Sequence, residues 1–225
     1  MNRRPTFSAF AWPDDPAEAD LPIQWACGVA TQVLDWTWRA FDAIQANHLM
    51  RVDLTQPPEQ LERDLTRNHF VEIQILFALE TEGYAALVPH HEFPEMESRT
   101  SASAKPPAYD LAFVSTANQR WAWPLEAKVV SAPNRLGEYL KDVNDKFVGG
   151  VAAPLVGEGA MIAYLLTNET TAVFENLENR LNQPLQMVPE FCERPHRVSR
   201  HLRTTAPELR LHHLLMECVP NPLQH

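Results

Sequence analysis

The chain has 225 residues, 45% of them hydrophobic, which suffices for the core of one domain and argues against two large independent ones. A formal net charge of -10 excludes a protein that coats nucleic acid through its overall charge, since affinity for phosphates comes from clustered Lys and Arg. It does not exclude an enzyme that meets nucleic acid at a local site.

No window approaches the roughly 20 uninterrupted apolar residues of a membrane span, and the first residues lack the apolar core of a secretory signal. The expectation is a soluble, cytoplasmic protein. Cys27, Cys192 and Cys218 are scattered and odd in number, so they read as buried reduced thiols rather than a disulfide framework or a zinc knuckle.

Residues 1–21 are rich in Pro, Asp and Ala and read as an N-terminal arm, and residues 22–225 as a single domain whose first part, 22–57, is a helical extension. In that extension Trp25, Val29, Val33, Trp36, Ala40, Ile44 and Leu49 recur at three- to four-residue steps, predicting an amphipathic helix over 23–50. A second helix is predicted over 58–83, opened by Pro58 and stopped by Gly83, with Leu61, Leu65, Ile75, Leu76 and Leu79 inward. Glu72 projects onto that apolar face and Glu62 stands near the helix start. Taken alone, the first reads as a boundary residue reaching water and the second as a partner of the helix dipole.

Residues 84–93 turn extended and suggest an edge strand, and 94–107 read as an exposed flexible loop. Residues 109–114 then alternate toward an apolar interior, 115–119 carry turn chemistry, and 120–130 return as a second strand. Residues paired across a hairpin centred near Asn118 have numbers summing to about 236, which sets Asp110 opposite Glu126 with Cβ atoms roughly 5 Å apart. Lys128 shares the face of Glu126, because side chains at i and i+2 point the same way on a strand. Like charges facing each other cost stability, and a divalent cation would explain their being retained. Mg²⁺, or Mn²⁺ in its place, takes hard oxygen ligands, and a neighbouring Lys can orient water or stabilise charge growing on a phosphoryl group. The plain alternative is an ion-paired strand surface.

Tyr109-Asp110, followed by Leu125-Glu126-Ala127-Lys128-Val129-Val130, resembles the PD-(D/E)XK, or restriction-endonuclease-like, nuclease superfamily over residues 58–219. Tyr109 stands where the motif name has proline. The resemblance implies an α/β fold with a central mixed sheet of four or five strands flanked by helices, and a first helix outside the common part. It also assigns metal binding to Asp110 and Glu126 and catalysis to Lys128, with Glu62 or Glu72 completing the metal site. The implied activity is Mg²⁺-dependent hydrolysis of phosphodiester bonds, with DNA as the expected substrate and a phage-defence or restriction system as the setting. Residues 137–147, the glycine pair Gly149-Gly150 and residues 160–166 suggest a helix crossing back to a fourth strand, as in some bacterial members.

Farther on, residues 170–181 read as a short amphipathic helix with a threonine cap. A basic stripe between 193 and 213 offers Arg197, Arg200, His201 and Arg203 as nucleic-acid contacts, the plain alternative being a solvated face. The pairs His90-His91 and His212-His213 offer at most one zinc ligand each, because adjacent residues on a strand face opposite ways. No nucleotide-loop, dinucleotide, serine-hydrolase or metalloprotease string is present. The competing expectation is a catalytically silent subunit docked in a larger complex. Between the two lies a nuclease switched on by a protein partner such as an ATPase or helicase, and self-association is left open.

Overall fold

Alternating apolar strands and crossing helices build one seven-stranded mixed sheet in the computed structural model of the chain, which describes residues 21–81, 86–98, 105–204 and 206–219, and only the backbone of 21–27. The strands are β1 (Leu87–Pro94), β2 (Ala108–Ser115), β3 (Ala122–Val130), β4 (Glu158–Leu165), β5 (Gln186–Met187), β6 (His196–His201) and β7 (Leu209–Glu217). Their spatial order is β1-β2-β3-β4-β7-β6-β5, with β3, β4 and β7 mutually parallel and the outer pairs antiparallel. Seven strands replace the four or five expected, because the basic stripe folds into β6 and β7.

Among the described residues four helices cover the sheet: α1 (Leu21–Asn47), α2 (Pro58–Glu80), α3 (Gly137–Asp142), which continues as a π-helical segment over Val143–Val148, and α4 (Thr170–Leu181). α1 and α2 close one face, where Trp36 stacks on Phe113 and the core gathers Leu61, Leu65, Leu125, Ala127 and Ile162. α3, the π segment and α4 close the other, with Tyr139, Phe147, Phe174, Met161 and Leu215. The central strands are buried almost throughout because both their faces are covered.

Several expectations change in the folded chain. α2 ends at Glu80, and Gly83 and Tyr84 lie outside the described residues, as do residues 1–20 and 99–104. Ile75 and Leu79 face solvent, at 47% and 76% exposure, while Thr66, His69, Glu72 and Ile73 turn inward. His69 and Glu72 can be buried there because partners await them: His69 bonds Tyr164 and the carbonyl of Thr37, and Glu72 bonds His48. Glu95, expected in an exposed loop, is buried and accepts the hydroxyl hydrogen of Tyr109. Cys192 is exposed while Cys218 is buried, both as free thiols. At α4 the residue before the helix is Glu169, and it makes no side-chain cap, so Thr170 is the first helical residue rather than the cap.

Candidate active site

The hairpin register agrees with the sum of 236: Leu111 pairs with Leu125, Ala112 with Pro124, Phe113 with Trp123 and Val114 with Ala122. The ladder stops at Leu111 and Leu125, one position short of Asp110 and Glu126. On the other side of β2, Glu92 is missing from the pairing of β1 and sits at φ 52°. Tyr109 packs in the layer of Ala112 and Val114 instead of alternating with them, so the pleat slips at Asp110. Freed from the ladder, the Asp110 carboxylate accepts the backbone N–H of Ala127 at 2.8 Å. The expected face-to-face pair is thus a fork between two strands, with one acid bonded to the other strand's backbone.

Four further side chains enter this fork. Glu126 is 1% exposed. Its Oε2 receives Lys146 Nζ at 2.6 Å, and its Oε1 has no hydrogen-bond partner among the described residues. Lys128 Nζ donates to Glu62 Oε1 at 2.9 Å and to the Ala127 carbonyl at 2.7 Å, and lies 3.2 Å from Asp142 Oδ2. Lys146 Nζ also lies 3.0 Å from that same Asp142 oxygen. No aligned hydrogen bond reaches Asp142 Oδ2, so the approach of both lysines is ionic. Four carboxylates and two ammonium groups thus share one buried spot.

The electrostatics follow from burial and sign. Burial pushes the Glu126 carboxyl well above the usual range, and the charge of Asp110 pushes it further against the pull of Lys146. Glu62 is raised mainly by burial, with Lys128 opposing. For Lys128, burial would lower the pKa, but Asp110, Glu62 and Asp142 together raise it, so its ammonium stays charged at neutral pH.

The two candidate helix acids part company. Glu72 lies ten residues beyond Glu62, about 15 Å along the axis and roughly 80° around it. It bonds His48 Nε2 at 2.7 Å, at the end of α1, and takes no part in the cluster. Asp142 and Lys146 stand out little in the sequence. Their only signal there is an acid and a base four residues apart in the segment bracketed by Gly137 and Gly149.

The four basic residues proposed for nucleic acid stand elsewhere or are already engaged. β6 is three strands from β3, roughly 14 Å at ordinary strand spacing. Arg197 pairs with Glu178 and lies over the ring of Phe174, and Arg200 pairs with Glu208. His201 bonds Ser199. Arg203 binds four backbone carbonyls, those of Phe147, Ala152, Val156 and Pro207, and so clamps the loop that follows the π segment. Of the paired histidines, His212 bonds His196, while His213 bonds Tyr139 and Ser199 in the opposite layer.

Among the described residues no three His, Cys, Asp or Glu side chains are arranged to grip an ion as they stand, because two lysines occupy the space between the carboxylates. The donor chemistry nevertheless fits a hard divalent cation: Glu126 offers an unpartnered buried oxygen, and Asp110 is close enough to raise its pKa. Fold and site together define an α/β protein with a buried carboxylate–lysine cluster in a strand fork. No protein-family model, curated protein or solved structure matched the chain. Among the described residues no helix is long and apolar enough to cross a membrane.

Proposed function

We propose that this protein is a metal-dependent nuclease of the restriction-endonuclease-like type, hydrolysing phosphodiester bonds and acting on DNA. The observation that carries this reading is Glu126: a carboxylate 1% exposed, with an oxygen that has no hydrogen-bond partner among the described residues, beside a second carboxylate. Burying a carboxylate costs desolvation that one ion pair, here with Lys146, repays only in part, and the unpartnered Oε1 adds to the cost. A functional requirement explains its retention.

In this reading Asp110 and Glu126 hold Mg²⁺ or Mn²⁺, with Glu62 from α2 as the helix acid. The bound ion supplies Lewis acidity and an activated water. Lys128 acts as a cation and not as a base, since its carboxylate neighbours keep it protonated. Lys128 hydrogen-bonds Glu62 and the Ala127 carbonyl and meets Asp142 only as an ionic neighbour at 3.2 Å, so its third N–H is left for a phosphoryl oxygen or the attacking water. Glu62 then serves as the anchor that keeps the ammonium aimed into the fork.

Cleavage of plasmid or labelled oligonucleotide with Mg²⁺ or Mn²⁺ tests the reading. Wild type should cut, and Asp110→Ala and Lys128→Ala should not; equal cutting by the variants refutes the assignment.

A second reading, a docked subunit of a larger nucleic-acid-processing complex, is favoured by one observation. Val71, Ile75 and Leu79 form an exposed apolar stripe along α2, at 42%, 47% and 76% exposure. A partner such as an ATPase or helicase bound there could also license the nuclease. Activity that appears only with the partner present would support licensing.

A further inference from the structure

The hydrolysis reading leaves Lys146 without a task, although the chain goes to some length to place it. Val143–Val148 is π-helical, a rare geometry that recurs at functional sites. The segment ends at Gly149, where a Cβ would lie 2.5 Å from the carbonyl oxygen of Asp145. Phe147 lies against β4 at Gly159, where a Cβ would meet its ring at 2.7 Å. Arg203 then holds the carbonyls of Phe147 and Ala152 from the far side. The product of these contacts is an ammonium 2.6 Å from Glu126 Oε2 and 3.0 Å from Asp142 Oδ2.

We propose that Lys146 is the resident counter-cation of the centre: it neutralises Glu126 while no ion is bound and gives Glu126 up when a divalent cation binds, so that it sets the affinity for the ion. This rests on the metal-centre reading above. The free oxygen for an ion is Oε1 of the carboxylate whose Oε2 already holds the ammonium, so both cations would share one small group in a water-poor space. Like charges that close repel strongly where the dielectric is low. Of the two lysines, Lys146 is the one able to leave. Its side chain is 31% exposed against 17% for Lys128, and it needs only a change of rotamer to keep Asp142, its neighbour one turn back, while releasing Glu126. Lys128 is held by two hydrogen bonds, to Glu62 and the Ala127 carbonyl, and by the charge of Asp142, and stays.

Two measurements on the full chain test this. The first is isothermal titration of Mn²⁺ into wild type, Lys146→Met and Lys146→Arg, each checked for folding by circular dichroism. Lys146→Met should bind about tenfold tighter, equal to about 1.4 kcal/mol, with Lys146→Arg close to wild type. Equal or weaker binding by a folded Lys146→Met overturns the role of Lys146 and leaves the metal centre standing. No Mn²⁺ binding by any of the three proteins at millimolar concentration overturns the centre itself.

The second uses only wild type, so misfolding of a variant cannot obscure it. The chain has four lysines, Lys105, Lys128, Lys141 and Lys146, whose reaction with an amine reagent can be followed by peptide mass. Labelling of Lys146 should rise on adding Mg²⁺ while that of the exposed Lys141 stays constant. Unchanged labelling of Lys146 under Mg²⁺ saturation overturns the exchange.

Discussion

Acid should unfold this protein early, and His69 gives a measure of how early. The ring is wholly buried where α2 meets α1 and the sheet. A carbonyl can only accept, so Nε2 donates to Thr37 O at 2.7 Å, and Nδ1 must then accept from the Tyr164 hydroxyl at 2.9 Å. That assignment needs a neutral ring. Burial lowers its pKa from 6.5 to about 4, only partly offset by the bond to Thr37. Below pH 6.5 the unfolded chain therefore takes up a proton that the folded one refuses. Stability is full above that pH and falls as the solution is acidified toward the folded value. At pH 5 the loss from this group alone is about 2 kcal/mol, a large share of a typical folding free energy. His213, lowered to about 3, and His196, lowered to about 2, act in the same direction, burial being the leading cause for each. His69→Gln keeps a donor for Thr37 and an acceptor for Tyr164 but does not titrate. Urea unfolding followed by tryptophan fluorescence at pH 7 and pH 5 reads the difference. Wild type should lose about 2 kcal/mol more than His69→Gln between the two conditions. Equal losses would refute the assignment of His69 as a buried neutral base.

The remaining predictions concern the centre and its supports. Glu62→Gln should lower kcat/KM for oligonucleotide cleavage at least about tenfold, as loss of a ligand or of a ligand's support does, while Glu72→Gln leaves it near wild type. The reverse order would move the helix acid to Glu72. Asp110→Asn should abolish cleavage in a protein that stays folded, since Asn still accepts the Ala127 N–H, while the repulsion of Glu126 and the attraction of Lys128 are lost together and offset. The calorimetric Tm should therefore move by no more than about 2–4 °C, the shift for roughly 1 kcal/mol in a domain of this size, and a larger fall would count against the argument. Gly159→Ala forces a Cβ to 2.7 Å from Phe147 Cε1 and 3.2 Å from Pro124 O. Overpacking of that kind costs about 1–3 kcal/mol. Thermal unfolding should show the loss, and an unchanged Tm would mean that the ring does not seat on β4.

How much of this could be read beforehand depended on whether a feature was local. The hairpin was legible to the residue, because period-two alternation on both sides of a short turn leaves one register, and Leu111 does pair with Leu125. The meeting of Asp110, Glu126 and Lys128 followed from that register. Its form did not: a slipped pleat at Asp110 depends on Glu92 at positive φ in the neighbouring strand, which no pattern within β2 announces. β6 and β7 were seen only as charge. Arg197 and Arg200 pair within the protein, while His196, Ser199, His212 and His213 are buried in bonds to one another or to Tyr139, so neither strand has the alternation that marks one. α2 misled for the opposite reason. Ile75 and Leu79 look like core and face solvent, whereas His69 and Glu72 are inside because Tyr164 and His48 meet them. Asp142 and Lys146 reach the centre through the docking of Phe147 at Gly159, a tertiary contact invisible to spacing.

The order of synthesis gives the parallel pairing of β3 with β4 a further meaning. Every acid and base of the cluster lies between Glu62 and Lys146, but β4 begins at Glu158, and its other neighbour β7 runs from Leu209 to Glu217. A nascent chain therefore carries the whole set of charges before the sheet exists that holds them together. Pairings between distant segments close late, since the entropy of the intervening loop must be overcome first. The cluster can thus be held in its full sheet only after β7, the second strand flanking β4, has been made.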